Sequence, residues 1–333
     1  MGKAAAARKL ASAAAFGGGG LSVLGMGLYG VLRGEAALAR RMIGNAGDEP
    51  PPDSTGWYGR GRPGPAIKVA LLGDSSAAGY GVERLVETPG AFFASSLAKE
   101  ADRRVHLRTY AKVGAQSSDL ADQIDRALPG EPDLAVILIG ANDVTHRVRP
   151  SQSVRYLAES VRRLVDAGAK VLVGTCPDLG TVKPIPPPLK QVARAMSRRL
   201  AAAQAIVVVE EGGVAVSLGS ILGPDFAAAP AVLFGPDQFH PSAEGYRAVA
   251  EVLVPSALNA LGFGTDEPHR RTRGEGTMPV ATAAVRAART PGTELGDKKG
   301  LWVELRRRAR LRSVPEAPDV AEELPAGEQV SDA

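Results

Sequence analysis

The sequence predicts an α/β fold, a parallel sheet with helices packed on both faces. Two observations carry the prediction. Short runs rich in Val, Ile and Leu recur through the middle of the 333-residue chain, and such runs suit strands buried on both faces. Segments with apolar residues at helical spacing alternate with those runs, which is the pattern of βαβ units. The composition agrees. With 44% apolar and 23% charged residues, a chain disordered throughout, a collagen and a polytopic membrane protein are all excluded.

The elements follow in order. Ile67–Leu72 is the first strand. Val105–Tyr110 is a less apolar strand near an edge, and Leu134–Ile139, Lys170–Thr175 and Ala205–Val209 complete a five-stranded parallel sheet. Between them, Pro89–Ala101 opens on Pro-Gly and carries Phe92, Phe93 and Leu97 on one face. Ser118–Leu128 starts with a serine cap. Ser151–Ala167 aligns Val154, Leu157, Val161 and Leu164 and stops at Gly168. Leu189–Gln204 and Ser242–Leu261 are the remaining helices.

Outside residues 67–263 the character changes. Residues 1–41 hold the longest uncharged run, Leu10 to Leu32, preceded by Lys3, Arg8 and Lys9. As a helix at ~1.5 Å per residue it would reach ~34 Å, enough to cross a hydrocarbon core of ~30 Å. The expectation is a transmembrane signal-anchor. A cleaved signal peptide is the rival, since Ala37-Leu38-Ala39 is an A-x-A pattern. Arg33 and Glu35 stand before that site and make it a poor one, and the many glycines of the run leave a weak apolar tail as the bland alternative. Basic residues flank both ends of the run, so charge does not set its orientation. Residues 42–66 are Pro/Gly-rich and read as a linker. Residues 264–333 read as a charged, disordered tail. Within it, Leu301-Trp302-Val303 precedes Arg306, Arg307, Arg308, Arg310 and Arg312, a basic amphipathic segment near 300–312 suited to weak contact with an anionic membrane surface.

Several function classes drop out early. The net charge of +4 is too small for bulk attraction to nucleic acid. One cysteine, Cys176, excludes a disulfide framework within the chain and a multi-cysteine zinc site. The four histidines, at 106, 146, 240 and 269, are too scattered for a histidine-rich metal site.

Ligands of a parallel sheet bind outside the carboxyl ends of its strands, so the residues following each strand matter most. Gly73-Asp74-Ser75-Ser76 follows the first strand and Lys112-Val113-Gly114-Ala115 the second. Gly140-Ala141-Asn142-Asp143 follows the third, and Asp237-Gln238-Phe239-His240-Pro241 precedes the last helix. Together they hold the parts of nucleophilic catalysis. Ser75 is the candidate nucleophile, His240 its general base, and Asp237 the group that orients the imidazole. The Ser75 and Gly114 N–H groups and the Asn142 amide are candidate oxyanion donors. Asp74 and Asp143 read as structural supports of their turns.

These four blocks resemble, in order and separation, the signature blocks of the SGNH hydrolases, also called GDSL lipases or esterases. The resemblance covers about Ile67–Gly262. It implies a flavodoxin-like three-layer α/β/α fold and ester hydrolysis through an acyl-enzyme, with no metal or organic cofactor. One departure is Ser76, where a leucine often follows the nucleophile.

Some residues compete for roles. His146 also lies three residues from an aspartate, Asp143, but reads as a rim histidine. Cys176 reads as a small buried hydrophobe rather than a second nucleophile. The Pro-rich stretch Thr175–Pro188 is a candidate acyl-pocket wall or lid, and Gly212–Pro236 lines the substrate site or covers the sheet edge. The expected activity is therefore a serine esterase on carboxylic esters, with a short acyl or O-acetyl group favoured. Lysophospholipase or thioesterase action on longer chains, and a non-catalytic module binding an acylated ligand, are the alternatives. The expected partners are a small acyl ester substrate and, through the N-terminal helix, the membrane. The expected location is the cytoplasmic membrane with the catalytic domain outside, or secretion if the leader is cleaved.

Overall fold

The computed structural model describes residues 29–35 and 50–263. The apolar run up to residue 28 and the C-terminal tail from residue 264 lie outside the described residues, as do residues 36–49, which include the first part of the expected linker. Among the described residues, no helix is long and apolar enough to cross a membrane.

The first helix, α1, covers 29–35. The sheet then opens with β1 (Gly56–Tyr58) and β2 (Ile67–Gly73), followed by α2 (Ser75–Ala78), α3 (Pro89–Ala101), β3 (Val105–Thr109) and α4 (Leu120–Ala127). Next come β4 (Leu134–Leu138), α5 (Ala141–Thr145), α6 (Pro150–Asp166), β5 (Lys170–Gly174), α7 (Leu189–Glu210) and β6 (Val214–Val216). Three short helices, α8 (Leu218–Ile221), α9 (Gly223–Ala228) and α10 (Pro230–Leu233), lead to α11 (Ala243–Ala260).

The sheet has six strands in the order β1-β3-β2-β4-β5-β6. All neighbours are parallel except β1 and β3, which are antiparallel. The five parallel strands therefore follow the 2-1-3-4-5 order of flavodoxin-like sheets, with the switch point between β2 and β4. This is a mixed six-stranded sheet rather than the expected five-stranded parallel one. The extra strand, β1, lies in the stretch expected to be linker. Tyr58 is buried there and donates to the Ser54 carbonyl at 2.7 Å.

A second correction concerns Ala205–Val209. It is the last part of α7, and the fifth parallel strand is β6, a few residues later. No glycine or proline breaks the chain between Leu189 and Glu210. Val208 continues the buried stripe Ala193, Ser197, Leu200 and Gln204, so packing keeps the β-branched residues helical. The helix expected from Ser118 starts at Leu120, after a turn at Ser117–Asp119 closed by a Gln116/Asp119 capping box.

The alternation along β4 sorts the core into two layers. Leu134, Val136 and Leu138 pack into the cluster that α3 and α11 cover. Ala135 and Ile137 pack into the cluster that α4 and α6 cover, with Ile139 just beyond the strand. Side chains of successive strand residues point to opposite faces, so a strand with no polar face requires helices on both.

Candidate active site

The turn after β2 is built for close approach. Gly73 has φ +134°, and a Cβ there would sit 1.9 Å from the Leu138 carbonyl oxygen. Only glycine lets the β2 and β4 ends meet in this way. The Asp74 N–H donates to that same Leu138 carbonyl at 3.0 Å. Asp74 then caps α2 by accepting from the Ser76 N–H at 2.9 Å. Burial pushes the Asp74 carboxyl up to about 6, against the opposing effect of that N–H. Ser75 becomes the first residue of α2, 7% exposed, at the switch point.

His240 comes from the loop before α11. Its Nε2 lies 2.9 Å from Ser75 Oγ, and its Nδ1 lies 2.6 Å from Asp237 Oδ2. A carboxylate only accepts, so Nδ1 carries the proton and Nε2 is free to take one from the serine. The other Asp237 oxygen accepts from the Phe239 and His240 N–H groups, each at 3.0 Å. Burial pushes the Asp237 carboxyl up, but the His240 hydrogen bond and the two backbone N–H groups outweigh it and hold it below its ordinary value. The rings of Tyr80 and Phe239 flank the imidazole, with centroids at 4.6 and 4.9 Å.

The candidate oxyanion donors follow the ends of three neighbouring strands, β2, β3 and β4. Gly114 has φ +80° and sits after β3. Asn142, in α5 after β4, donates through Nδ2 to the Ala115 carbonyl at 3.0 Å. That bond fixes the side-chain amide and leaves its second N–H available. Asp143 ties the two loops together. It accepts from Ser117 N–H at 3.2 Å, from Ser117 Oγ at 3.1 Å and from Ser153 Oγ of α6 at 2.7 Å. Burial pushes its carboxyl up, partly offset by those donors. Asp143 thus holds loops in place, as Asp74 does, and neither touches Ser75 Oγ or His240 through a hydrogen bond.

The competitors separate cleanly. His146 is exposed, and its Nδ1 donates to the Asn142 carbonyl at 2.9 Å, away from the serine. The Cys176 thiol is 1% exposed, and burial, with Asp74, Asp143 and Asp178 adding to it, pushes it well above its ordinary range. It packs as an apolar side chain. Among the described residues no cluster of three or more metal-ligating side chains occurs.

An apolar cavity opens beside Ser75 and His240. Its walls include Leu138, Leu179, Val182, Leu218, Leu222, Phe226, Phe234 and Val249. The Pro-rich stretch after β5 supplies one wall, and the connection from β6 to α10 supplies the other. Asp178 anchors the first wall. It accepts from Gly180 N–H at 2.8 Å and from Arg198 Nη2 at 2.7 Å.

Two buried glutamines were not singled out by sequence. Gln123 of α4 clamps the β2 end, accepting from Gly73 N–H at 2.7 Å and donating to its carbonyl at 2.9 Å. Gln204 of α7 accepts from Cys176 N–H at 2.7 Å and donates to the Ile139 carbonyl at 3.1 Å. The available signal was positional. Each is a polar residue on the apolar stripe of its helix, beside Leu120 and Ile124 in one case and between Leu200 and Val208 in the other.

Residues 71–248 match the GDSL-like lipase/acylhydrolase family. A GDSL-like esterase from Mycobacterium tuberculosis is 40% identical over 275 residues, which cover 79% of this chain and 86% of that one. Two solved structures are similar at lower identity. A lipase/acylhydrolase from Enterococcus faecalis has a TM-score of 0.46 and 21% identity, over 61% of this chain and 99% of that one. An acetyl-xylooligosaccharide esterase from Geobacillus has a TM-score of 0.46 and 17% identity, over 59% of this chain and 94% of that one.

Proposed function

Because the chain belongs to the GDSL-like lipase/acylhydrolase family and is a hydrolase acting on ester bonds, we propose that Ser75 is its nucleophile, His240 its general base and Asp237 the residue that orients the base. The observation that carries this reading is the continuous relay from Ser75 Oγ to His240 Nε2 and from Nδ1 to Asp237, at 2.9 and 2.6 Å. Ser75 Oγ attacks the ester carbonyl while His240 Nε2 takes its proton. The oxyanion that forms is met by the Ser75 N–H, the Gly114 N–H and the Asn142 amide. Each such donor typically supports about 100- to 1,000-fold in rate. The carbon–oxygen bond to the alcohol then breaks, His240 returns the proton to the departing oxygen, and an acyl-serine remains. Water, deprotonated by His240, attacks that acyl group and releases the carboxylic acid with Ser75 restored.

The apolar cavity is the acyl site in this reading. A short acyl group fits its mouth beside Ser75. Longer chains are the second reading, favoured by the aliphatic and aromatic side chains that line the cavity. The test is hydrolysis of p-nitrophenyl esters from acetate to palmitate, beside Ser75→Ala. Loss of turnover in the variant supports the nucleophile, and the chain-length profile measures the cavity. Equal background rates in both proteins would overturn the assignment of Ser75.

A further inference from the structure

One face of the sheet carries charge where β3 nears the edge. Val105 and Leu107 enter the core, so His106 and Arg108 point to the opposite side. The register places Trp57 of β1 and Lys68 of β2 on either side of His106, and Ala70 of β2 beside Arg108. Trp57 stacks on His106 with ring centroids 4.5 Å apart. The small side chain of Ala70 leaves room next to the guanidinium, and the turn Leu128–Gly130 flanks that room. A Cβ on Gly130 would sit 3.7 Å from both Arg108 Nη1 and Tyr110 Oη. The result is a groove of about 270 Å³ whose polar lining is Lys68, His106, Arg108 and Tyr110. It shares no lining residue with the cavity beside Ser75.

The groove is cationic and short of counter-ions. Arg126 of α4 donates to the Tyr110 carbonyl at 2.9 Å and lies over the Tyr110 ring, and Arg104 lies over the Trp57 ring. Among the described residues no carboxylate pairs with Arg104, Arg108 or Arg126, whereas Arg162 holds Glu211 at 2.8 Å and Arg198 holds Asp178 at 2.7 Å. The nearby carboxylates are committed or loose. Asp133 accepts from the Lys68 N–H at 2.7 Å, and Glu131 stands 3.5 Å from Lys68 Nζ with its side chain 86% exposed. Burial, then the charges of Arg108 and Lys68, hold His106 below its ordinary value. A guanidinium, an ammonium and a phenol hydroxyl therefore donate into one small space. Such a set matches an anion with three acceptor oxygens, and the volume suits one such group rather than a polymer.

We infer that this groove is a second, non-catalytic binding site that takes the phosphate of a small phosphomonoester. Arg108 is its principal ligand, with Lys68 and the Tyr110 hydroxyl donating from either side. The dianion offsets the repulsion that these cations exert on His106, so binding draws a proton onto the imidazole. Trp57, stacked on that ring, reports the change. The site stands independently of the reaction at Ser75.

The test uses the full chain carrying Trp302→Phe, which leaves Trp57 as its single tryptophan. Inorganic phosphate, glycerol 3-phosphate and acetate are titrated at constant ionic strength near the ordinary histidine value of 6.5. Both phosphates are expected to quench Trp57 to saturation, with proton uptake seen by calorimetry in buffers of different ionisation enthalpy. Acetate is expected to give no saturation. Arg108→Gln is expected to weaken phosphate about tenfold or more, as loss of a charge-assisted hydrogen bond does. Gly130→Asp sets a carboxylate against Arg108 without a backbone clash, and is expected to abolish the response while melting like the parent. A response that acetate or chloride reproduces is charge screening and overturns the inference. So does unchanged affinity in both variants, or a groove that takes inorganic phosphate and rejects the monoester. Phosphate binding that appears only after residues 313–333 are removed would assign the groove to the acidic run Glu316–Asp332 of this chain, and also overturns it.

Discussion

Replacing Asp237 by asparagine separates two functions of one carboxylate. Its Oδ1 receives the Phe239 and His240 N–H groups at 3.0 Å and so shapes the loop. Its Oδ2 receives His240 Nδ1 at 2.6 Å and so sets the imidazole tautomer. An asparagine oxygen can keep the first pair of bonds. Its NH2 then faces Nδ1 as a donor, which forces the imidazole proton onto Nε2. That nitrogen can no longer accept the Ser75 proton. The corresponding change in a Ser-His-Asp protease costs about 10⁴ in kcat, or about 5 kcal/mol of transition-state stabilisation. Asp237→Asn should therefore lose about 10⁴ in kcat/KM on p-nitrophenyl acetate and melt within a few degrees of the wild type. Asp237→Ala removes the acceptor as well, and should lose comparable activity plus about 1–3 kcal/mol of stability from the unpaired N–H groups. The assay is initial-rate hydrolysis beside thermal melts of both variants. An asparagine variant within tenfold of wild type would refute the tautomer argument.

Other outcomes follow from the geometry. The folded protein binds the Asp74 proton up to about pH 6, whereas the carboxyl's ordinary value is 3.8, so its ionisation lowers stability as pH rises through that window. Asp74→Asn, which can still cap Ser76, should raise stability by on the order of 1–3 kcal/mol at neutral pH and show no gain below the carboxylate range, by melts across pH. Gly73→Ala should cost more than about 3 kcal/mol and abolish turnover, because its Cβ would meet the Leu138 carbonyl at 1.9 Å; a folded, active alanine variant would contradict the close approach. Gln204→Leu should cost about 2–4 kcal/mol, since it strands the Cys176 N–H and the Ile139 carbonyl in the core, and denaturant unfolding measures it.

β2, β4 and β5 were legible because each carries apolar residues on both faces, which only a two-sided sheet can bury, whereas β3, with His106 and Arg108 on its second face, reads as a strand near an edge. The candidate positions Ser75, Asn142 and His240 could be singled out because each lies within a few residues of a strand end or a helix start. Ala205–Val209 was not, because a run of valines has the same composition in either element. What decides is the buried stripe from Ala193 to Val208, a tertiary fact. β1 was missed because three residues are too few to show alternation. Gln123 and Gln204 were missed because a glutamine on a helix is ordinary by type and unusual only by burial, 2% and 0% exposed.

The short antiparallel strand at the start of the sheet also determines how this enzyme can be cut. β1 pairs with β3 over three residues, and Ser54 and Thr55 extend the seam through hydroxyl contacts to Thr109. Without it the whole length of β3 would offer its unpaired N–H and C=O groups to another chain, the usual route to edge-to-edge aggregation. A fragment beginning at Ile67 retains every residue of the relay yet exposes that seam, and should associate in solution. One beginning at residue 50 carries its own cover and should remain monodisperse. The boundary of the folded body is therefore set by the capped edge of the sheet, well before Gly73-Asp74-Ser75.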